Sequence, residues 1–206
     1  YDKMNARIAW LLGMLDDGIK DTEGRKWLGI VNNNESILRK VISIFRYELK
    51  QKIHAKIVTS EDDNDKIERY RKFLIEQNID ENLIKIQKTK IGSLGIKGTS
   101  VSIYLFNSKL VRNLIRKREN FSEIHDNSLV KAFLAGKIDA DGNVDGHYNA
   151  IRLNYATRKQ NKLERLNKDI DKLKVILNKL EIKYKVRKYT RKNGKIDLGK
   201  YGFKFR

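Results

Sequence analysis

Asp141, followed directly by Gly142, ends an apolar helical pattern and is the first candidate for chemistry in this chain. A carboxylate at a helix C-terminus lies at the negative end of the helix dipole, which is unfavourable unless a cation compensates it. A divalent cation that prefers oxygen ligands would do so, which makes Asp141 a candidate metal ligand. The alternative is an ordinary helix C-cap, with Gly142 in the left-handed conformation and Asp141 solvated.

The small residues Ala135 and Gly136 precede this acid and would let another backbone approach the helix closely. They belong to a nine-residue stretch, Leu134-Ala135-Gly136-Lys137-Ile138-Asp139-Ala140-Asp141-Gly142. The stretch resembles the motif of the LAGLIDADG homing endonucleases and departs from it only at Lys137.

A second stretch near the N-terminus looks like a degenerate copy, Leu11-Leu12-Gly13-Met14-Leu15-Asp16-Asp17-Gly18. Gly13 and Gly18 are five residues apart, whereas Gly136 and Gly142 are six apart. We take Asp17 as the acid that corresponds to Asp141, because the Asp-Gly pair is then kept. Asp16 is the alternative.

Similar patterns follow the two motifs, which predicts an internal duplication. An alternating, β-branched pattern predicts strands at residues 26–32 and 151–156. Apolar residues at helical spacing predict helices at residues 35–49 and about 159–180. A hairpin follows each helix, and in the first half a helix around residues 67–74 interrupts it. We therefore expect two half-domains, residues 1–125 and 126–206, the second without a counterpart to the final helix of the first.

The composition favours a polyanionic partner. The chain has 45 Lys and Arg against 26 Asp and Glu, a formal net charge of +19. Such an excess attracts nucleic acid, although it also occurs in other basic proteins. Cysteine is absent, which excludes disulfides and thiolate metal sites. The three histidines lack the spacing of a zinc site.

Alternation along each predicted strand separates a face that packs on the helices from an open face. The open face would carry groups suited to base edges in a major groove. In the first half these are Trp27, His54, Lys56, Lys85, Gln87, Ser100, Ser102 and Tyr104. In the second half they are Arg152, Asn154, Lys185, Arg187, Tyr189, Arg191, Lys200, Lys204 and Arg206. The phenylalanines Phe45, Phe73, Phe106 and Phe133 are instead assigned to the core.

The resemblance implies an α+β fold built from tandem, pseudo-twofold αββαββ(α) repeats. Two antiparallel sheets would form a DNA-binding saddle, with the helices on the opposite face. The motif helices would pack together through Gly13, Ala135 and Gly136. Asp17 and Asp141 would then meet at the centre of the saddle.

The activity that the resemblance implies is a double-strand cut at a long DNA site, leaving 3′ overhangs. Asp17 and Asp141 would bind Mg²⁺ and position the attacking water. Mn²⁺ would substitute, and Ca²⁺ would bind without turnover. Asn33 and Arg158 would order waters near the scissile phosphate. The resemblance further implies an intracellular monomer that is encoded by an intron, encoded by an intein or free-standing. The sequence has no apolar run long enough to cross a bilayer.

Two alternatives stay open because the first motif is irregular. Some relatives are maturases, which bind intron RNA and assist its splicing, and a maturase could lose an acid. A nicking enzyme with one working site would also tolerate a degenerate first motif.

Overall fold

The computed structural model describes residues 4–15, 19–22, 25–60, 64–89, 98–145, 150–157, 163–188 and 199–205. The helices are α1 (Ala6–Met14), α2 (Glu35–Ser43), α3 (Asn64–Glu76), α4 (Ser108–Glu119), α5 (Asn127–Asp141) and α6 (Leu163–Lys179). The strands are β1 (Ile19–Thr22), β2 (Arg25–Asn32), β3 (His54–Thr59), β4 (Ile84–Lys88), β5 (Thr99–Phe106), β6 (Gly142–Asp145), β7 (Ala150–Thr157), β8 (Tyr184–Lys188) and β9 (Gly199–Phe205). Among these residues no helix is long and apolar enough to cross a membrane.

The order of the elements confirms the α+β class and the repeated unit. The second half runs α5-β6-β7-α6-β8-β9, and the first half runs in the same order with one insertion and a final helix, α4. The insertion is α3 and β4, which lie between the third strand of the first half and its last strand, β5. The sequence patterns did not predict β1 and β6, the short strands that directly follow the motifs.

Each half contributes one sheet. The second sheet is antiparallel throughout, in the order β6-β7-β9-β8. The first sheet has five strands in the order β1-β2-β5-β3-β4, and its β3 and β4 are parallel. The expectation of two purely antiparallel sheets is therefore wrong for the first one. The reason is α3, a crossover helix that carries the chain from the end of β3 back to the side of the sheet where β3 begins. Strand β4 therefore runs in the same direction as β3.

The helical pattern at residues 35–49 also differs in detail from the prediction. Asn34 caps α2 by accepting a hydrogen bond from the Ser36 amide at 2.9 Å. After Ser43 the helix widens into a π-helical turn, Ile44–Glu48. This turn buries Ile44 and Phe45 against the rest of the core.

The sheets bury one face against the helices. In β2 the buried side chains are Leu28 and Ile30, and in β5 they are Val101, Ile103 and Leu105. Strand β3 adds Ala55 and Ile57, and β7 adds Leu153. These residues form one continuous core with the apolar faces of the helices.

Helices α1 and α5 cross in close backbone contact. A Cβ added to Gly136 would lie 2.0 Å from the Trp10 carbonyl oxygen, and one added to Gly13 would lie 2.1 Å from the Phe133 carbonyl oxygen. Trp10 stands three residues before Gly13, and Phe133 stands three residues before Gly136. The two contacts are therefore reciprocal, as a twofold relation between the helices produces. No residue with a side chain fits at either glycine.

We predict that Gly136→Ala destabilises the fold by about 1–3 kcal/mol, because the new methyl group forces the two helices apart. The measurement is the free energy of unfolding in urea. Ala135→Ser is the matched control, because Ala135 is exposed on α5 and its substitution should cost less than about 0.5 kcal/mol. Equal stability of Gly136→Ala and the wild type would contradict the close contact.

Candidate active site and nucleic-acid interface

Asp141 is the last residue of α5, and β6 begins at the next residue without a loop between them. Gly142 adopts φ −73° and ψ 141°, an extended conformation, and its amide bonds to the Ile138 carbonyl. The left-handed C-cap considered for this glycine is therefore not present. A Cβ on Gly142 would lie 2.4 Å from the Ile138 carbonyl oxygen, so the abrupt change from helix to strand requires glycine.

The Asp141 carboxylate is exposed at this helix end, five residues beyond the crossing point at Gly136. At about 1.5 Å per residue it lies roughly 7–8 Å along the axis from the crossing. Its oxygen atoms and exposure fit a hard divalent cation. No group of three or more His, Cys, Asp or Glu residues gathers within the described part of the chain.

The corresponding acid of the first motif, Asp17, lies outside the described residues, as does its alternative, Asp16. Helix α1 ends at Met14, and the buried Leu15 closes it with a bond from its amide to the Leu12 carbonyl at 3.4 Å. Helix α1 therefore ends one residue after Gly13, whereas α5 continues five residues beyond Gly136.

The sequence predicts that Gly13, Ala135 and Gly136 lie in the helix interface, and the structure separates Ala135 from the two glycines. Gly13 and Gly136 meet at the crossing. Ala135 is exposed and does not lie in the contact, because it is one residue, about 100° around the helix, from Gly136. Lys137, the one position at which this stretch differs from the motif, is buried at 4% exposure. Its Nζ lies 5.9 Å from the Phe133 ring centroid. The long lysine thus takes a place inside the fold.

A polar link across the two halves was not anticipated from the sequence. The Trp10 indole Nε1 donates to the Asp139 carboxylate at 2.7 Å. The Lys40 ammonium lies 3.9 Å from the Trp10 ring centroid. Burial lowers the pKa of Lys40, while nearby Asp139 raises it and Arg7 lowers it further. Only the tryptophan in the α1 pattern could have suggested this link, since a buried indole N–H needs an acceptor.

Asn33 stands in the turn between β2 and α2, with its side chain exposed. The Tyr70 hydroxyl donates to the Asn33 backbone carbonyl at 2.9 Å, and burial raises the pKa of Tyr70. The Asn32 side chain accepts from the Asn34 amide at 2.8 Å, which holds the same turn. Arg158, the expected counterpart of Asn33 in the second half, lies outside the described residues.

Strand pairing in the first sheet puts the expected open-face residues on one side. Trp27 pairs with Phe106, Lys56 with Ser102 and with Lys85, and His54 with Tyr104. Gln87 lies two residues beyond Lys85 on the same face. Lys85 and Gln87 are exposed and Trp27 and Lys56 are half-buried, whereas Ser102 and Tyr104 are largely covered, at 8% and 7% exposure.

The assignment of Phe106 to the core is wrong. Phe106 is 60% exposed, because it pairs with Trp27 and therefore lies on the open face. Around it the aromatic rings of Trp27, His54, Tyr104 and Phe106 form a contiguous group, which we call the aromatic cluster. Its neighbouring ring centroids are 5.1–6.4 Å apart.

The second sheet presents cations at the equivalent face. Arg152 pairs with Lys204, and Lys204 pairs with Lys185 on its other side. Asn154 and Arg187 both pair with Gly202, so their backbone register puts them on the same face. Lys200 follows the same alternation. Tyr189, Arg191 and Arg206 lie outside the described residues.

We predict that His54 titrates below its ordinary pKa of 6.5, because burial, then Lys52 and Lys85, disfavour the charged imidazolium. Lys85→Ala should raise this pKa toward the ordinary value, as read from an NMR titration. Lys88→Ala is the matched control, since Lys88 lies on the same strand but alternates to the other face. An equal shift in both variants, or none in Lys85→Ala, would contradict the arrangement.

Comparison with known proteins places this fold among solved structures. No protein-family model matches the chain, and no curated protein sequence matches it. A structure of mesophilic variants of the homing endonuclease I-DmoI superposes with a TM-score of 0.56 at 16% identity, covering 98% of this chain and 83% of that one. A structure of I-DmoI in complex with DNA and Mn gives 0.53 at 16% identity, covering 98% and 89%.

These superpositions extend over nearly the whole chain, both repeats included, although few residues are identical. The reciprocal crossing of α1 and α5 and the two sheets therefore belong to a known architecture. The chain has the fold of I-DmoI, which confirms its resemblance to the LAGLIDADG homing endonucleases.

Proposed function

We propose that this protein is a site-specific DNA endonuclease that uses divalent metal ions to cut both strands of a long duplex target. The observation that carries the proposal is the crossing of α1 and α5 at Gly13 and Gly136, with the exposed Asp141 at the end of α5. The fold shared with I-DmoI, which has been solved in complex with DNA and Mn, supports both the substrate and the metal.

Asp141 and Asp17 are the proposed metal ligands, one from each motif. Bound Mg²⁺ would neutralise charge on the scissile phosphate and stabilise the leaving oxygen. Asp141 contributes an exposed carboxylate at the end of α5, directly before the extended Gly142. Asn33 and Arg158 follow equivalent strands, β2 and β7, and are proposed to hold waters near the phosphate.

The open faces of the two sheets are the proposed DNA-binding surface. The formal charge of +19 supplies the attraction for the phosphate backbone, and exposed or half-buried cations such as Lys56, Lys85, Lys185 and Lys204 lie on these faces. Phosphate contacts would position the duplex, while side chains on the faces would read base edges. In the first sheet the exposed Lys85 and Gln87 are better placed for this than the covered Ser102.

We expect Asp141→Asn to abolish cutting of at least one strand and to leave DNA affinity nearly unchanged, because it removes a metal ligand and no base contact. The assay is cleavage of supercoiled plasmid carrying the target, with Mg²⁺, beside a binding titration in Ca²⁺. Asp139→Asn is the matched control, two residues earlier on the same helix, and should still cut because the amide oxygen can still accept from Trp10. Wild-type cutting by Asp141→Asn would exclude Asp141 from the mechanism.

The same plasmid assay separates the two motifs. Asp17→Asn should produce at most nicked circles, since one of the two acids is lost. Linear product from Asp17→Asn, together with its loss in Asp16→Asn, would show that Asp16 is the acid. Nicking by the wild type itself would favour one working site. Binding of intron RNA without any DNA cleavage would favour the maturase alternative.

DNA binding should depend steeply on salt. If about 6–10 phosphates are contacted, affinity should fall by about 10³–10⁵ between roughly 50 and 200 mM monovalent salt. The measurement is a fluorescence-anisotropy titration of a duplex at several salt concentrations. A nearly flat dependence would mean that the charge of +19 does not serve DNA binding.

A further inference from the structure

The two open faces carry opposite chemistry at one equivalent position. Trp27 is the third residue of β2 and pairs with Phe106, while Arg152 is the third residue of β7 and pairs with Lys204. The pseudo-twofold relation of the halves therefore places an aromatic pair in one sheet where the other sheet has two cations.

The aromatic pair is built into the sheet. The ring of Phe106 lies 5.1 Å from that of His54 and 5.3 Å from that of Tyr104, between centroids, both in edge-to-face geometry. Tyr104 is 7% exposed beneath its neighbours, whereas Phe106 is 60% exposed. Gly29 makes room for the Trp27 indole, whose Cζ3 would lie 2.8 Å from a Cβ at that position. Phe106 is thus an exposed apolar ring that packs against the rings of His54 and Tyr104.

The surroundings of the aromatic cluster indicate what covers Phe106. Lys56 lies two residues after His54 on the same face of β3 and pairs with Lys85 of β4, and Lys52 stands two residues before His54 in the chain. An apolar ring framed by cations is complementary to a polyanion that presents an apolar group. In the major groove of duplex DNA that group is the thymine C5-methyl, which phenylalanine contacts directly.

The equivalent position of the second sheet suits a different base. Arg152 and Lys204 are donors only, and such donors pair with the O6 and N7 acceptors of guanine. We propose that the target is asymmetric at these equivalent positions: a thymine methyl contacts Phe106 in one half-site, and a guanine meets Arg152 and Lys204 in the other. This inference rests on the proposed function as a DNA endonuclease.

The test uses a duplex target selected by wild-type protein from a randomised pool, with each thymine replaced in turn by deoxyuridine. Deoxyuridine lacks only the methyl group. One replacement in the half-site bound by the first sheet should weaken wild-type binding about fourfold, the effect of one buried methyl group. Phe106→Ala should bind thymine and deoxyuridine duplexes equally at that position. Phe106 is exposed, so its substitution spares the core.

Tyr47→Ala is the matched control, because Tyr47 is an equally exposed aromatic residue, at 64%, on the π-helical turn away from the sheet. It should keep the deoxyuridine effect. In the other half-site, replacing the guanine by 7-deazaguanine should weaken wild-type binding, and this effect should be smaller in Arg152→Ala and absent when Arg152 and Lys204 are both replaced by alanine. An undiminished effect in the double variant would overturn the guanine contact.

Two results would overturn the inference while leaving the endonuclease intact. They are specific binding and cutting without any deoxyuridine effect in that half-site, and an undiminished effect in Phe106→Ala. A preference of Phe106 for unpaired bases, seen as tighter binding of single strands that Phe106→Ala removes, would likewise replace the methyl contact by stacking. Failure of the wild type to select or cut any duplex would overturn the proposed function itself, and the inference with it.

Discussion

The contact on which the structure depends is the backbone approach of α1 to α5 at Gly13 and Gly136. Each glycine faces a carbonyl oxygen of the other helix at a distance that excludes any side chain. Because the two helices belong to different halves, this contact fixes how the two sheets stand relative to each other. The Trp10–Asp139 hydrogen bond adds a directional interaction at the same interface. Dispersion forces between two apolar helix surfaces have no such direction.

The halves share a plan but differ in ways that bear on recognition. The first half carries the inserted α3 and β4 and an aromatic open face, while the second carries four strands and a cationic open face. The helix ends differ as well, since α5 runs into β6 through Gly142 and α1 stops at Met14. A pseudo-symmetric frame thus holds two sheets whose open faces are not equivalent, as the proposed asymmetric DNA target would require.

Much of this frame could be predicted from the sequence, because its signals are local. The motif glycines, the alternating strands and the helical apolar spacing gave the repeat, and the alternation gave the open face of β2, β3 and β5. The parallel pairing of β3 and β4 could not be read so easily, since it depends on where α3 returns the chain. Phe106 was assigned to the core on its apolar type alone, although the alternation that puts Ser102 and Tyr104 on the open face puts Phe106 there as well. Asp139 was missed because its partner lies in the other half of the chain.

The crossing of α1 and α5 also affects when α1 can complete its packing while the chain is synthesised. All residues from Ile8 to Leu15 are buried in the finished protein. The π-helical turn and α4, which belong to the same half, cover part of this surface. The glycine side of α1 packs against α5, which is made about 120 residues later. At about 5–20 residues per second, the ribosome takes roughly 6–25 seconds to deliver it. For that interval the backbone of α1 around Gly13 is without its partner helix in the nascent first half.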